Sequence, residues 1–325
     1  MFKIIRLSLL LLCFFLILFT NNAFAESWRE GKIILVGEVK EWKDPATRPT
    51  SMFVMDADGS NFARICDLNV ISSKGYSLSP DCQKILFSNK AGKDENLVND
   101  IYIMDIDGHN KTNLTKTDFI HEFSPCWSPE GKQISYTENR LDQSFICVTD
   151  LLHKNINKLH EGRSPDWSSK NEIVFYFNGN IWKMNADGSN PMNLTKKGLS
   201  GNPWYMRWSP DGNNIIFELN NDIYIMDRDG NNLKNLTNSD FSEGMPCWSP
   251  NGEKIAFVSI REDRKNHLYI MNPDGSNIER LINNEVMERE TKYLEDWRSE
   301  SSSSVRMTDL LKTSTWGYIK VNSKL

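Results

Sequence analysis

Short runs of apolar residues, separated by turn-forming residues, recur along most of the chain and predict β-strands. Residues 206–237 contain an apolar run at 215–217 and an alternating run at 223–226, and both patterns are typical of strands. Ser-Pro-Asp-Gly at 209–212 precedes the first run, and Asp-Gly at 229–230 follows the second. Asp-Gly between two such runs favours a hairpin, because glycine adopts a positive φ without steric cost. The stretch therefore predicts a four-stranded antiparallel meander of about forty residues, the size of one propeller blade.

An anchor residue, most often tryptophan, marks the same point in successive copies of this unit. Trp127, Trp208 and Trp248 begin full copies of Trp-Ser-Pro-x-Gly, and the other copies are shortened or degraded. The anchors are separated by 50, 49, 40, 41, 40 and 49 residues, a spacing that indicates a repeat protein. The anchors are Trp28, Leu78, Trp127, Trp167, Trp208, Trp248 and Trp297.

A second motif, of the form Tyr-Ile-Met-Asp-x-Asp-Gly, lies between the anchors. Five clear copies occur at 52–59, 101–108, 181–188, 223–230 and 268–275, and a sixth at 145–150 has lost its glycine. Repeats of this period that consist of strands indicate a propeller and not a helical solenoid. We therefore predict an all-β protein, a six-bladed β-propeller of four-stranded antiparallel blades.

Seven anchors and six copies of the second motif leave one anchor over. We expect residues 293–297 to pair beside residues 31–37, so that a C-terminal strand closes the ring. Trp297 would then pack where the other anchor tryptophans lie. Closure would remove two open sheet edges, which otherwise invite aggregation.

These motifs resemble the TolB-like, WD40-like propeller repeat of the PD40 type. The resemblance rests on Trp-Ser-Pro-Asp-Gly at 208–212, on the strand motif at 223–230 and on its copies, and it covers residues 28–297. It implies a β-propeller of the bacterial cell envelope that binds a protein or peptide partner. Because the motif residues build the blade, the resemblance identifies no functional residue.

The N-terminus has the pattern of a secretory signal peptide. Lys3 and Arg6 precede an apolar run at 7–19, and Ala-Phe-Ala at 23–25 is a cleavage motif. The alternative is an uncleaved anchor, although the run is short for a membrane span. We therefore expect a signal peptide at 1–25, the propeller at 26–297, and a Ser-rich linker and tail at 298–325. The mature protein would be periplasmic or secreted, with no membrane span.

The charge of the mature chain disfavours two classes of partner. Loss of Lys3 and Arg6 leaves 36 basic against 43 acidic side chains, a net charge of −7. Nucleic acids and anionic lipids require a basic surface, so we expect neither, and we expect a monomer.

Established catalytic and cofactor motifs do not occur in the sequence. It contains no P-loop, no dinucleotide fingerprint, no Gly-x-Ser-x-Gly and no His-Glu-x-x-His. The Asp-x-Asp-Gly strings resemble calcium loops superficially, but they recur at hairpin tips, where turn chemistry explains them. Three Asn-Leu-Thr sequons likewise recur at one repeat position and are explained by the repeat. We expect no cofactor, no metal and no catalytic residue.

Five cysteines remain after signal cleavage, and an odd number leaves at least one thiol free. Cys126 and Cys247 occupy one repeat position three blades apart, where they would face each other across the propeller, too far apart to bond. We interpret the cysteines as small buried strand residues.

The connections that lead into the innermost strands carry the candidate binding residues, because they border the central channel of a propeller. Carboxylates, guanidinium groups and exposed aromatic rings at these positions suit a peptide end or a sugar. Alternatively, they satisfy one another around a water-filled channel. The candidates are His121, Glu122, Glu161, Arg163, Trp204, Tyr205, Arg207 and Glu243.

Two functional classes remain open. The first is a non-enzymatic envelope propeller that binds a protein or peptide. The second is a carbohydrate-active propeller, lyase-like or sugar-binding, with its site in the channel. A lyase needs a convergent set of His, Glu or Gln side chains on the inner strands, and only His121 and Glu122 qualify by position. We therefore favour the first class, with a glycan as the alternative ligand.

The predicted signal peptide generates a testable prediction. N-terminal sequencing of the protein isolated from the cell envelope should begin at Glu26, because the apolar run and the Ala-Phe-Ala motif direct cleavage after Ala25. A chain that begins at Met1 and stays in the cytoplasm would contradict the prediction.

Overall fold

The computed structural model describes residues 31–38, 50–56, 63–67, 75–91, 98–141, 143–196, 198–261, 266–281 and 291–299. The predicted signal peptide, residues 300–325 and residues 39–49, 92–97 and 262–265 lie outside the described residues. Within the described ranges, no helix has the length and hydropathy of a membrane span.

In the described part of the chain, five four-stranded sheets each consist of four consecutive antiparallel strands, and we number them blades 1 to 5. Blade 1 comprises β4 (Tyr76–Leu78), β5 (Lys84–Ala91), β6 (Val98–Asp105) and β7 (Thr112–Asn113). Blade 2 comprises β8 (His121–Trp127), β9 (Gln133–Arg140), β10 (Gln143–Asp150) and β11 (Asn157–Glu161). Blade 3 comprises β12 (Arg163–Trp167), β13 (Glu172–Phe177), β14 (Asn180–Asn185) and β15 (Met192–Asn193). Blade 4 comprises β16 (Trp204–Trp208), β17 (Asn214–Leu219), β18 (Asp222–Asp227) and β19 (Lys234–Asn235). Blade 5 comprises β20 (Glu243–Trp248), β21 (Ile255–Ser259), β22 (His267–Met271) and β23 (Glu279–Arg280).

The predicted count of six blades is corrected to five blades of consecutive strands. Among the described residues, three strands precede blade 1: β1 (Gly31–Glu38), β2 (Thr50–Asp56) and β3 (Ala63–Asp67). These three strands do not make up a four-stranded blade by themselves. These strands belong to a sheet of order β24-β1-β2-β3, here called the composite sheet, in which β24 (Thr291–Ser299) runs antiparallel to β1. Its side chains Ile33, Leu35, Phe53 and Met55 pack against blade 5. The expected packing of Trp297 concerns a side chain outside the described residues.

Side-chain hydrogen bonds within each turn explain why the repeat conserves its polar residues. In blade 4 the Ser209 hydroxyl donates to Asp211 Oδ1 at 2.5 Å and accepts from the Asn214 amide at 2.9 Å. At the next turn, Asp227 Oδ1 accepts from the amides of Asp229 and Asn231 at 2.9 and 2.8 Å. The Asp-x-Asp-Gly carboxylate is therefore used by its own turn, as the turn interpretation predicts.

The Asn-Leu-Thr triplets connect the outermost strand of a blade to the third strand of the same blade through side-chain hydrogen bonds. The Asn235 side chain donates to Asp222 Oδ2 at 2.8 Å, and the Thr237 hydroxyl donates to Asp222 Oδ1 at 3.0 Å. The same hydroxyl accepts from the Ile223 amide at 3.1 Å. Equivalent bonds join Asn113 to Asp100 and Thr195 to Asn180. The repeat therefore explains these triplets structurally.

The hydrophobic core lies between neighbouring blades. The anchors Trp127, Trp167, Trp208 and Trp248 are all buried. Trp208, for example, packs with Val174 and Ile181 of blade 3 as well as with Ile215 and Phe217 of its own blade. Because each anchor fills the gap between two sheets, its removal would leave a cavity, at a cost of about 3–5 kcal/mol.

The interface between blades 3 and 4 generates a prediction with a matched control. Gly230 and Gly179 both have positive φ, at 82° and 77°. A Cβ on Gly230 would collide with the Leu194 carbonyl group of the preceding blade, whereas Gly179 has no heavy atom within 4 Å of that position. G179A should lower the free energy of unfolding by about 1 kcal/mol, through backbone strain alone. G230A should lower it by roughly 3 kcal/mol, because the collision adds to the strain.

Chemical denaturation of the two variants and the wild type measures these effects. Equal losses in G179A and G230A would show that the turn of blade 4 does not depend on its contact with Leu194.

Candidate functional site

The innermost strands of blades 1 to 5 surround a central cavity of about 610 Å³. Each blade contributes residues from its first strand and from the turn that follows the anchor. A cavity of this size is within the range that holds a small ligand or a short segment of a chain.

A β-bulge interrupts the inner strand of blades 2 to 5. The pairing between the first and second strands shifts between Phe123 and Cys126 in blade 2, and at the matching positions of the other three blades. The residue three positions before each anchor has positive φ, between 49° and 89°; these residues are Gly75, Ser124, Ser164, Tyr205 and Met245. Bulges redirect side chains beside functional sites. Here the bulge separates two layers of side chains along the inner strands.

The outer layer consists of the residues four positions before the anchors, at the start of the inner strands. We call it the rim layer, and it comprises Phe123, Arg163, Trp204 and Gly244. The first three line the cavity. Because the four residues differ although their repeat position is the same, packing of the blade does not determine them.

The guanidinium group of Arg163, in the rim layer, lies close to two aromatic rings. Its guanidinium carbon lies 4.5 Å from the centroid of the Tyr176 ring and 5.3 Å from that of the Trp204 ring. Within the described ranges, Arg163 makes no ion pair or side-chain hydrogen bond. The Tyr176 hydroxyl donates to Asn202 Oδ1 at 2.6 Å, which fixes the ring beneath the guanidinium group. Such stacking favours a cation while leaving the edge of the guanidinium group available.

The inner layer consists of the residues directly before the anchors. We call it the waist layer, and it comprises Ser77, Cys126, Asp166, Arg207 and Cys247, all of which line the cavity. Asp166 accepts from the Trp208 amide at 2.8 Å and lies 3.7 Å from the Arg207 guanidinium group. The Cys126 thiol is 3.7 Å from the same carboxylate. The charges of the waist layer therefore compensate each other.

The structure brings half of the sequence-predicted site residues together. Arg163, Trp204, Tyr205 and Arg207 line the central cavity. The other four lie elsewhere: His121 and Glu161 are exposed at strand ends, and Glu122 and Glu243 are buried within their sheets; none of the four lines the cavity. His121 accepts from Asn99 and stacks on Phe123, with 6.0 Å between the ring centroids.

Glu122 and Glu243 occupy one repeat position but have different partners. Glu243 Oε1 is 2.5 Å from the Arg261 guanidinium group. The residue that matches Arg261 in blade 2 is Arg140, and Glu138 binds it at 2.7 Å together with Lys158 at 2.8 Å. Neither carboxylate oxygen of Glu122 has a hydrogen-bond partner within the described part of the chain.

Burial raises the pKa of Glu122 to about 8, and the nearby carboxylates of Asp100 and Glu138 add to the rise. The Thr115 hydroxyl and the Ile101 amide oppose it, although these two groups bond to each other at 3.0 Å. Tyr136 and Cys147 also lie close to the carboxyl group. Glu122 is therefore a neutral acid at pH 7, because a lone buried charge would be costly.

The described residues contain no group of three His, Cys, Asp or Glu side chains placed to hold a metal ion. Cys147 is a buried free thiol.

Three residues of the site were not predicted from the sequence. Phe123 and Asp166 lie at the repeat positions of Trp204 and Arg207, so alignment of the repeats could have identified them. Tyr176 lies on the second strand of blade 3. It occupies the repeat position that Thr137 holds in blade 2 and Glu218 holds in blade 4. There, Thr137 and Glu218 accept hydrogen bonds from the bulge amides of the next blade, at 2.9 and 3.2 Å. The sequence signal that could have identified Tyr176 is a tyrosine at a repeat position where the other two blades have a hydrogen-bond acceptor for the bulge.

Glu122 generates a prediction about pH dependence. The pKa of Glu122 is about 8 in the folded protein and near the usual 4.5 in the unfolded chain. The stability that the protonated group contributes is therefore complete below pH 4.5 and is lost as the pH rises to about 8. The free energy of unfolding of the wild type, relative to E122Q, should fall by up to about 1.4 kcal/mol per pH unit between pH 5 and 8.

Urea denaturation of both proteins at several pH values measures this difference, and E243Q is the comparison variant. E243Q should destabilise the protein because it removes the partner of Arg261. A difference between wild type and E122Q that is independent of pH would show that Glu122 is ionised in the folded protein.

Comparison with known proteins identifies the fold of this chain. Residues 199–293 match the family described as the dipeptidyl peptidase IV (DPP IV) N-terminal region. No curated protein sequence matches the chain. TolB from Acinetobacter baumannii has a TM-score of 0.61 at 19% identity, over 83% of this chain and 66% of that chain.

Two further structures resemble the chain over nearly their full length. A putative TolB from Agrobacterium tumefaciens has a TM-score of 0.57 at 17% identity, over 82% of this chain and 98% of that chain. A chain of a nidogen/laminin complex has the same score at 10% identity, with the same coverage. Identities this low establish the fold alone. The resemblance to TolB is thereby confirmed at that level, and we conclude that the chain has a TolB-like β-propeller fold.

Proposed function

We propose that this protein is an exported, non-enzymatic β-propeller that binds an extended segment of a protein partner at the rim of its central cavity. Its predicted location is the periplasm or the cell exterior. The observation that carries the proposal is the rim layer, in which Phe123, Arg163 and Trp204 line the cavity side by side in successive blades.

The composition of the rim layer supports binding rather than blade packing. Trp204 is 41% exposed, although tryptophan is usually largely buried. Aromatic rings and arginine are the residues that most often dominate the energy of protein interfaces. Aromatic residues that served only to hold the blades together would be buried, as the anchor tryptophans are.

The depth of the cavity supports an extended segment as the ligand. Two layers of side chains follow each other along the inner strands, and both line the same cavity. A single strand or chain end can reach from the exposed rings to the charged waist layer, whereas a flat protein surface contacts the rim alone. The bulges increase this access, because they displace the backbone between the layers.

Site-specific photo-crosslinking in the native host tests the proposal. A photoreactive phenylalanine derivative replaces Trp204, which keeps an aromatic ring in the rim layer. Met192 is the control position, since it is 45% exposed but lies on an outermost strand away from the cavity. We expect a discrete protein adduct from position 204 and none from position 192.

Binding of the captured protein should then fall at least tenfold in W204A, with an unchanged melting temperature, because an exposed ring contributes little to the core. An adduct that forms equally at both positions, or that consists of glycan, would contradict the proposal. A glycan adduct would favour the carbohydrate-binding alternative.

A further inference from the structure

The two arginines of the cavity differ in what surrounds their charge. Arg207 faces Asp166 at 3.7 Å and also donates to its neighbour's carbonyl, the Met206 oxygen, at 3.4 Å. Arg163 has aromatic rings on its guanidinium group but no acceptor within the described residues. The rim layer therefore contains a cation that no described residue neutralises.

The N–H donors of Arg163 are available for a ligand in the cavity. The guanidinium carbon lies 4.5 Å from the centroid of the Tyr176 ring, and Arg163 lines the cavity. The N–H donors lie in the plane of the guanidinium group, and no described residue accepts from them. A pair of parallel N–H groups in this arrangement matches the two oxygens of a carboxylate.

We propose that the partner segment presents a carboxylate to Arg163, and that Arg163 selects the ligand by this contact. The inference rests on the proposed function, since it specifies the chemistry of the segment that the rim layer binds. Phe123, Tyr176 and Trp204 provide apolar contact for a side chain beside the carboxylate. The ligand class is therefore a peptide whose free C-terminus, or an acidic residue near it, is flanked by an apolar residue.

The charge of the protein favours a single carboxylate over a polyanion. The mature chain has a net charge of −7 if cleavage follows Ala25, and Asp166 lies in the layer directly below the rim. A ligand with one carboxylate gains the contact with Arg163 and meets little further repulsion. An acidic polysaccharide would bring several negative charges towards an acidic protein.

Immobilised peptides of defined chemistry test the inference. The mature protein is applied to random decapeptides attached through their N-termini, each present with a free C-terminal carboxylate and as the C-terminal amide. A parallel array displays oligosaccharides that contain uronic acids. The variants are R163K, which keeps the charge but loses the planar fork, and R228K, which makes the same change at Arg228, an arginine that pairs with Glu172 at 2.9 Å and does not line the cavity.

We expect binding to peptides with a free C-terminus or a nearby acidic residue. Amidation of a peptide that has no acidic residue should weaken binding at least tenfold, and R163K should have an effect of similar size, because a charge-assisted bidentate contact is lost in both cases. R228K should bind as the wild type does.

The other outcomes would contradict the carboxylate inference, the proposed function or both. Equal binding of acids and amides, with no effect of R163K, would overturn the carboxylate inference, while crosslinking at position 204 would still support the proposed function. Arg163-dependent binding to uronic-acid oligosaccharides alone would overturn both the inference and the proposed function. Absence of binding to either array would overturn the inference, and the crosslinking experiment would decide the proposed function separately.

Discussion

The packing of one large anchor residue between each pair of neighbouring blades is the interaction on which the rest of the structure depends. A four-stranded sheet of this length has two apolar faces and cannot bury both alone, so each blade is stable only against its neighbours. Trp127, Trp167, Trp208 and Trp248 fill the gaps between adjacent sheets. Their packing fixes the distance between the inner strands, and hence the width of the central cavity and the positions of its side chains.

The inner strands combine constant and variable positions, and this division separates structure from function. The anchor and the serine after it are the same in blades 2 to 5 and serve the core and the turn. The residues one and four positions before the anchor vary among these blades, apart from the cysteine that blades 2 and 5 share, and all of them except Gly244 line the cavity. A repeat thus holds a fixed framework in which a few positions are free to acquire binding chemistry. In the waist layer Asp166 and Arg207 compensate each other, whereas the rim layer leaves Arg163 without a counter-charge among the described residues.

Glu122 and Glu243 show that an equivalent position does not guarantee an equivalent state. Both carboxyl groups are buried at the same point of their blades. Glu243 is opposite Ser259 in the neighbouring strand and has Arg261 to itself. Glu122 is opposite a second carboxylate, Glu138, which binds the available arginine and a lysine. Strand pairing places the two glutamates equivalently, so the difference between the ion pair and the neutral acid lies in the neighbouring charges and not in the fold.

The sequence by itself determined the blade, because alternation, turn residues and anchors are local signals that repeat five times in nearly the same form. It also located the loops that lead into the cavity, and so Arg163, Trp204, Tyr205 and Arg207. It did not determine the number of blades, since a count of motifs cannot say which strands join in one sheet. The tertiary structure alone decided which charged residues face the cavity and which lie inside a sheet. The Tyr176 hydroxyl bonds to Asn202, in the connection to blade 4, and the pKa of Glu122 responds to Asp100 of blade 1; no local pattern encodes these contacts.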